Sequence, residues 1–148
     1  MVIDTSAILA ILQDEEERSL FNRLLSEAER PVLSAATWVE CSIVIESRYG
    51  AAGLHLLEML VDRAGIERLA VGVDQAKEAC RAYSRFGKGR HPAGLNFGDC
   101  FSYALARTRS ERLLFKGNDF SLTDISPAVG LNPALSSSEV HEEGPSYG

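Results

Sequence analysis

The chain opens MVIDTSAILAIL, Met1 to Leu12. Val2 and Ile3 are apolar and β-branched, the composition of a short strand, and Asp4 stops the run. TSAILAIL then places apolar residues near helical spacing. The stretch predicts a strand that ends at an acid and feeds directly into a helix, which is half of a β-α-β unit.

The same grammar continues outward. After a break near Gln13–Asp14 a second helix runs to about Glu29, and RPVLSA reads as a second strand. ATWVECSIVIESRYG is a helix ended by Gly50, and AAGLHLLEMLVDRAG another ended by Gly65, glycine being the usual residue just past a helix end. IERLAVG is a third strand. DQAKEACRAYSRFGKG is a helix for which Asp74 serves as N-cap, and KGRHPAGLN is a Gly/Pro loop. FGDCFSYALARTRS is a helix, RLLF a fourth strand, and ISPAV a candidate fifth. Strands alternating with helices imply right-handed crossovers and a parallel sheet covered on both faces. The expected fold class is therefore α/β, with a central parallel sheet of four to five strands flanked by helices. One domain is expected over residues 1–131. Residues 132–148, NPALSSSEVHEEGPSYG, are Ser/Pro/Gly-rich and acidic, the composition of a flexible tail.

The chain has 148 residues, 45% of them hydrophobic, enough for one domain with a real core. No apolar run approaches the ~20 residues of a membrane span, and the opening has no basic n-region of a secretory signal. Cys41, Cys80 and Cys100 are widely spaced and read as buried free thiols, so a cytoplasmic address is expected. His55, His91 and His141 are too scattered for a zinc cluster. The net charge of −6 is uneven: Lys77 to Lys116 carries nine Lys/Arg against three acids, net +6, which leaves −12 elsewhere. One basic face on an acidic protein can hold a polyanion on one side.

Four acids stand at the joints of these units: Asp4, Glu40, Asp99 and Asp119. Each has an ordinary explanation. Asp4 suits a helix N-cap. Asp99 lies three residues after the candidate cap Asn96, where an acid favours the helix dipole. Asp119 in KGNDF suits a turn. Glu40 is harder to explain, because Ala36, Thr37, Ile43 and Val44 at helical spacing are small or apolar. That pattern predicts a buried carboxylate with no Lys or Arg on its own helix, which must find a cation elsewhere. In a parallel sheet with the first strand central, all four converge at one edge. Their mutual repulsion would raise their pKa values unless a divalent cation neutralised them, and oxygen ligands without His or Cys favour Mg²⁺ or Mn²⁺. Thr5, Ser6 and Asn96 add hydroxyls and an amide that can orient metal-bound water or phosphate oxygens.

VIDTSAILAIL, TWVECSIVIESR, LNFGDCFSYALA and LLFKGNDFSLTDI resemble, in this order, the four acidic motifs of PIN-domain nucleases. They are most similar to VapC-type toxins of bacterial toxin–antitoxin pairs. The resemblance covers about residues 1 to 130. It implies a Rossmann-like sheet and metal-dependent endoribonuclease activity on RNA, with metal-ligand or catalytic roles for Asp4, Glu40, Asp99 and Asp119. It also implies inhibition by a small cognate antitoxin, and homodimers. Asn96 matches an asparagine found before the third acid in relatives. Asp124 in LTDI also fits their pattern, with a role left open between functional and structural.

The chemistry expected is phosphodiester hydrolysis with one or two metal ions, Asp4 and Asp99 as principal ligands, and Glu40 and Asp119 holding a second ion or its waters. Lys77, Arg81 and Arg85 recur every four residues on one helix face. With Lys88, Arg90 and Lys116 they are the candidate RNA contacts, against the plainer reading of a solvated face. Trp38 and Tyr103 are assigned to the core. An aspartyl-nucleophile phosphatase needs a second acid two residues after the first, where this chain has Ser6. A phosphoacceptor domain needs an Asp at the end of a middle strand, which IERLAVG lacks. A non-catalytic binding module need not keep all four acids. Two readings stay open beside the toxin: a PIN-domain nuclease of RNA processing, and a Mg²⁺-binding phosphohydrolase of another class.

Overall fold

The computed structural model describes residues 1–129; the expected tail, 132–148, lies outside them. Four strands, β1 (Val2–Ile3), β2 (Val32–Ser34), β3 (Glu67–Leu69) and β4 (Leu113–Leu114), form one sheet in the order β3-β2-β1-β4. All three pairings are parallel. The helices are α1 (Thr5–Leu12), α2 (Arg18–Glu27), α3 (Ala35–Ala64), α4 (Val73–Phe86) and α5 (Phe97–Arg109). The expected α/β fold and the central place of β1 are both observed.

β1, β2 and β4 are buried on both faces, as parallel strands under helical layers are, while the edge strand β3 is largely exposed. Successive side chains point to opposite faces, and this divides the core. Val2, Val32 and Leu113 pack with Phe86, Tyr103 and Leu105 under α4 and α5. Ile3, Leu33 and Leu114 pack with Ile8, Phe21, Leu57 and Val61 under α1, α2 and α3. Helices that cross back between parallel strands run against them, so α5 brings its first turn to the edge where β1, β2 and β4 end. That edge is where open α/β sheets build their sites.

Three expectations need correction. ISPAV contributes one isolated bridge, Leu113 to Pro127, and no fifth strand is formed among the described residues; Pro127 has no N–H with which to continue a ladder. The N-cap of α4 is Gly72, and Asp74 sits inside the first turn, where its charge favours the dipole without capping. Cys41 and Cys100 are buried, but Cys80 is exposed, because α4 turns Ala79, Ala82 and Phe86 inward instead. The break at Gly50 is present as a kink inside α3, with φ 67° and ψ −156°, a backbone open to glycine. Tyr103 is buried in the core as expected, and Trp38 packs partly buried under the Arg68 guanidinium, 4.3 Å from its ring centre.

Asp124 is tied into the fold. The Tyr103 hydroxyl donates to its Oδ1 at 2.6 Å, while Arg107 and Arg85 stand 3.6 and 3.7 Å from Oδ2. Partial burial pushes its pKa up, but the tyrosine hydrogen bond and the two guanidinium groups outweigh this and hold it below the usual carboxylate value. A depressed carboxylate stabilises the fold above its unfolded-state pKa, and that contribution is lost as pH falls through the folded value. Asp124→Asn should lower Tm by a few degrees at pH 7, and the gap to the parent should close once pH is well below about 3.9. Thermal unfolding followed across pH checks this.

Candidate metal centre

Asp4 leaves β1 in extended backbone, φ −90° and ψ 159°, and caps α1. Its Oδ2 accepts from the Ser6 amide at 3.0 Å and the Ser6 hydroxyl at 2.7 Å. Its Oδ1 accepts from Ser102 Oγ at 2.5 Å. The plain capping reading is thus correct for one oxygen. It leaves unexplained a carboxylate only 3% exposed that no cation approaches. Ser102 was not picked out from the sequence. The signal was its spacing, three residues after Asp99, which puts both on one face of α5. Thr37 Oγ1 lies 3.3 Å from Ser102 Oγ and continues the hydroxyl chain.

Glu40 departs from its reading. It is half-buried: of the neighbours at helical spacing, Thr37 is buried, Ala36 and Val44 are partly buried, and Ile43 is 60% exposed. The face of α3 around Glu40 is therefore mixed, and the partner is a hydroxyl where a cation was expected: Thr5 Oγ1 donates to Glu40 Oε1 at 2.6 Å. The carboxylate rests against Gly98, and a Cβ at that position would overlap both of its oxygens. Gly98 is what lets α5 and α3 bring Asp99 and Glu40 to the same place.

Asn96 caps α5 as expected. Its Oδ1 accepts from the Asp99 amide at 2.8 Å, and Asp99 Oδ2 accepts from the Asn96 amide at 3.0 Å. This reciprocal pair satisfies two otherwise orphaned donors. Asp119 lies just before the 3₁₀ turn Phe120–Leu122, is exposed, and caps nothing with its side chain.

Among the described residues none of the four acids is in an ion pair. Burial first, then the charges of Asp4, Asp119 and Glu40, push the Asp99 carboxyl up to about 7, against the lowering hydrogen bond from Asn96. All four therefore share one electrostatic field. The nearby Cys41 thiol is pushed up to about 12, by burial first and by Asp4 and Glu40 after it. The chemistry of the donor set, hard oxygens with no compensating cation, fits a divalent ion. The side chains do not form a finished shell: among the described residues no three His, Cys, Asp or Glu groups are arranged to hold a metal. Ser6, Ser102, Thr5 and the Asn96 amide occupy one or more oxygens each of Asp4, Glu40 and Asp99. Asp99 Oδ1 and Glu40 Oε2 accept no hydrogen bond from the described residues.

The basic candidates divide. Arg81 is paired with Glu78 at 2.9 Å and Arg85 with Asp124. Lys116 Nζ is tied to Glu15 at 2.6 Å and Glu17 at 3.4 Å, so it braces the α1–α2 connection to the chain after β4. Its backbone amide donates to Ser6 Oγ at 3.0 Å, which places the Lys116 main chain, and not its ammonium, beside the site. Lys77, Lys88 and Arg90 are exposed and form no ion pair among the described residues.

A sheet edge that gathers four acids in this chain order defines a class. The chain belongs to the PIN-domain family, whose model, described as "PIN domain", matches residues 1–125. Within that family it is similar to a protein named "Ribonuclease VapC" from Mycolicibacterium smegmatis, 50% identical over 125 residues, covering 84% of this chain and 97% of the relative. Among solved structures, Mycobacterium tuberculosis VapC20, titled a Sarcin-Ricin loop cleaving toxin, superimposes with TM-score 0.69 at 18% identity, covering 84% of this chain and 95% of that one. A toxin-antitoxin complex from Klebsiella pneumoniae matches with TM-score 0.61 at 14% identity, over 83% and 92% of the two chains. At those identities the two structures corroborate the fold.

The raised Asp99 pKa has a consequence for stability. A carboxyl whose folded pKa lies above its unfolded value stabilises the fold below the unfolded pKa, and that stability is lost as pH rises through the folded one. In chelator, the parent should therefore lose stability between about pH 4 and about pH 7. Asp99→Asn, which removes the charge, should raise Tm at pH 8 by about 3 °C and leave it near the parent's at pH 4. Thermal unfolding at the two pH values checks this.

Proposed function

We propose that the chain is a divalent-metal-dependent endoribonuclease that hydrolyses RNA phosphodiester bonds. It acts as the toxin of a toxin–antitoxin pair and is held inactive by a cognate antitoxin. The observation that carries the proposal is that Asp4, Glu40 and Asp119 all place their charges on the half-buried Asp99. Burial first, and those charges after it, push its carboxyl up to about 7, with no ion pair to any of the four among the described residues. The name of the 50% identical relative supports the activity, and the solved toxin-antitoxin complex with the same fold supports the partner.

The ion is Mg²⁺ or Mn²⁺, held principally by Asp4 and Asp99 with Glu40 and Asp119 beside them; when bound it polarises the phosphoryl group and activates water. The chain's own residues orient this chemistry. Ser6 and Ser102 fix both oxygens of Asp4. Thr5 holds Glu40 by one oxygen and leaves the other toward Gly98. Asn96 holds Asp99 by Oδ2 and leaves Oδ1 turned to the site. Lys77, Lys88 and Arg90 are the cations left for RNA phosphates, with Arg81 and Arg85 on the same helix. We read residues 1–131 as the catalytic domain. Val39, Ile43, Tyr49 and Leu56, exposed along α3, supply apolar surface for the antitoxin and for a second copy in a homodimer. Among the described residues no helix is long and apolar enough to cross a membrane, and a cytoplasmic location accords with three free thiols.

The test is RNA cleavage with Mg²⁺ by the parent and by Asp99→Asn. Losing a residue that only supports a metal ligand costs about 10–100-fold, so losing the ligand should cost at least ~100-fold while the fold and antitoxin binding persist. A variant that cuts RNA as fast as the parent would show that the activity lies elsewhere.

A further inference from the structure

Phe97 is 79% exposed, more than any other large hydrophobic residue among those described. It occupies the first position of α5, between the cap Asn96 and the acid Asp99. Its ring meets Phe101 edge-on, with centroids 5.0 Å apart and planes at 78°. Together with Tyr83 the two rings wall a cleft of about 540 Å³ between α4 and α5, whose lining also includes Asn96 and Lys88. Tyr83 is held in place from two sides. Its hydroxyl donates to the Lys88 carbonyl at 3.3 Å, and the Arg90 guanidinium lies 5.7 Å from its ring centre. The cleft is thus an aromatic surface that meets the acid site at Asn96, which lines it and also bonds Asp99, with Lys88 and Arg90 on its rim.

Phe97 and Tyr83 are both exposed and line one cleft with Phe101, a contiguous aromatic patch of the kind that marks a binding surface, and the charge around it selects the occupant. Lys88 and Arg90 on the rim, and Lys77 two turns back along α4, are exposed. A second copy docked here would bring like charges together, whereas a polyanion would be attracted. The π-face of a nucleobase fits an aromatic wall whatever its sequence. On the nuclease reading above, we infer that the Tyr83–Phe97–Phe101 cleft is a nucleobase subsite. One base of a single-stranded RNA stacks on Phe97 beside the phosphate at Asp99, and Lys88 and Arg90 meet the flanking phosphates. The cleft would then set which nucleotide lies next to the cut.

The test uses the full chain carrying Asp99→Asn, so that RNA is not consumed. The probes are a short single-stranded RNA with 2-aminopurine walked along it, and the same oligomer made abasic at that position. Phe97→Ala should weaken binding of the base-containing RNA about 10-fold, the worth of one stacked base, and abolish the 2-aminopurine quench at one position only. Phe97→Tyr should restore both. The abasic oligomer should bind Phe97→Ala and its Asp99→Asn parent equally. Unchanged affinity and quench in Phe97→Ala would overturn the subsite. So would equal weakening on both oligomers with a fall in sedimenting mass, which would assign the face to a second copy. The nuclease reading is judged separately, by Mg²⁺-dependent cleavage in the protein with Asp99 intact. If cleavage holds while the Phe97 variants show no effect, only the subsite falls; if no RNA is cut or bound, both fall.

Discussion

Repulsion among carboxylates is the constraint from which the rest of this protein follows. Asp4 is nearly buried, Asp99 and Glu40 are partly so, and Asp119 adds its charge from outside. A protein that only had to fold would not gather them, because each negative charge raises the cost of ionising the next. The fold tolerates the crowding by giving neutral donors to the acids: two serine hydroxyls to Asp4, a threonine hydroxyl to Glu40, a backbone amide to Asp99. These bonds hold the oxygens in position without cancelling their charge. That is the arrangement expected of a site whose neutralising partner comes from solution.

The sheet supplies the geometry. The buried parallel strands β1, β2 and β4 end together, and β1 and β2 each hand the chain to a helix that begins with a polar cap. Asp4 follows β1, Ser34 caps α3 at the end of β2, and Asp119 lies beyond β4. Helix α5 runs back against the strands and so presents Asn96 and Asp99 to the same edge. Gly98 removes the one side chain that would hold α5 away from Glu40. On the far side of α5, Asp124 joins Tyr103, Arg85 and Arg107, a cluster that fixes the chain after the 3₁₀ turn. Sequence alone left Asp124 between two roles, and the structure ties it to Tyr103, Arg85 and Arg107.

Much of this was legible in the residues because it rests on local rules. Apolar β-branched residues stopped by an acid gave β1, Gly50 gave the break in α3, and Asn96 with Asp99 gave the cap of α5. The acid order along the chain, once joined to the resemblance, gave the family. What was not legible depends on tertiary packing. Apolar residues around Glu40 suggested burial, yet this face of α3 runs from buried Thr37 to exposed Ile43 and leaves the carboxylate half-buried. Lys116 looked available for RNA, but only the folded chain brings it to Glu15 and Glu17. Ser102 looked like an ordinary helical serine until α5 was laid across β1. Phe97 was not singled out from the sequence, and it is the most exposed large hydrophobic residue among those described.

The central claim is that these four acids are metal ligands, and crystals soaked in Mn²⁺ test it most directly through anomalous scattering. The account predicts a manganese peak within coordinating distance of both the Asp4 and Asp99 carboxylates, with Glu40 or Asp119 contributing directly or through water. An anomalous map at saturating Mn²⁺ with no peak at this edge, and with Asp99 still bonded only to the Asn96 amide, would contradict it.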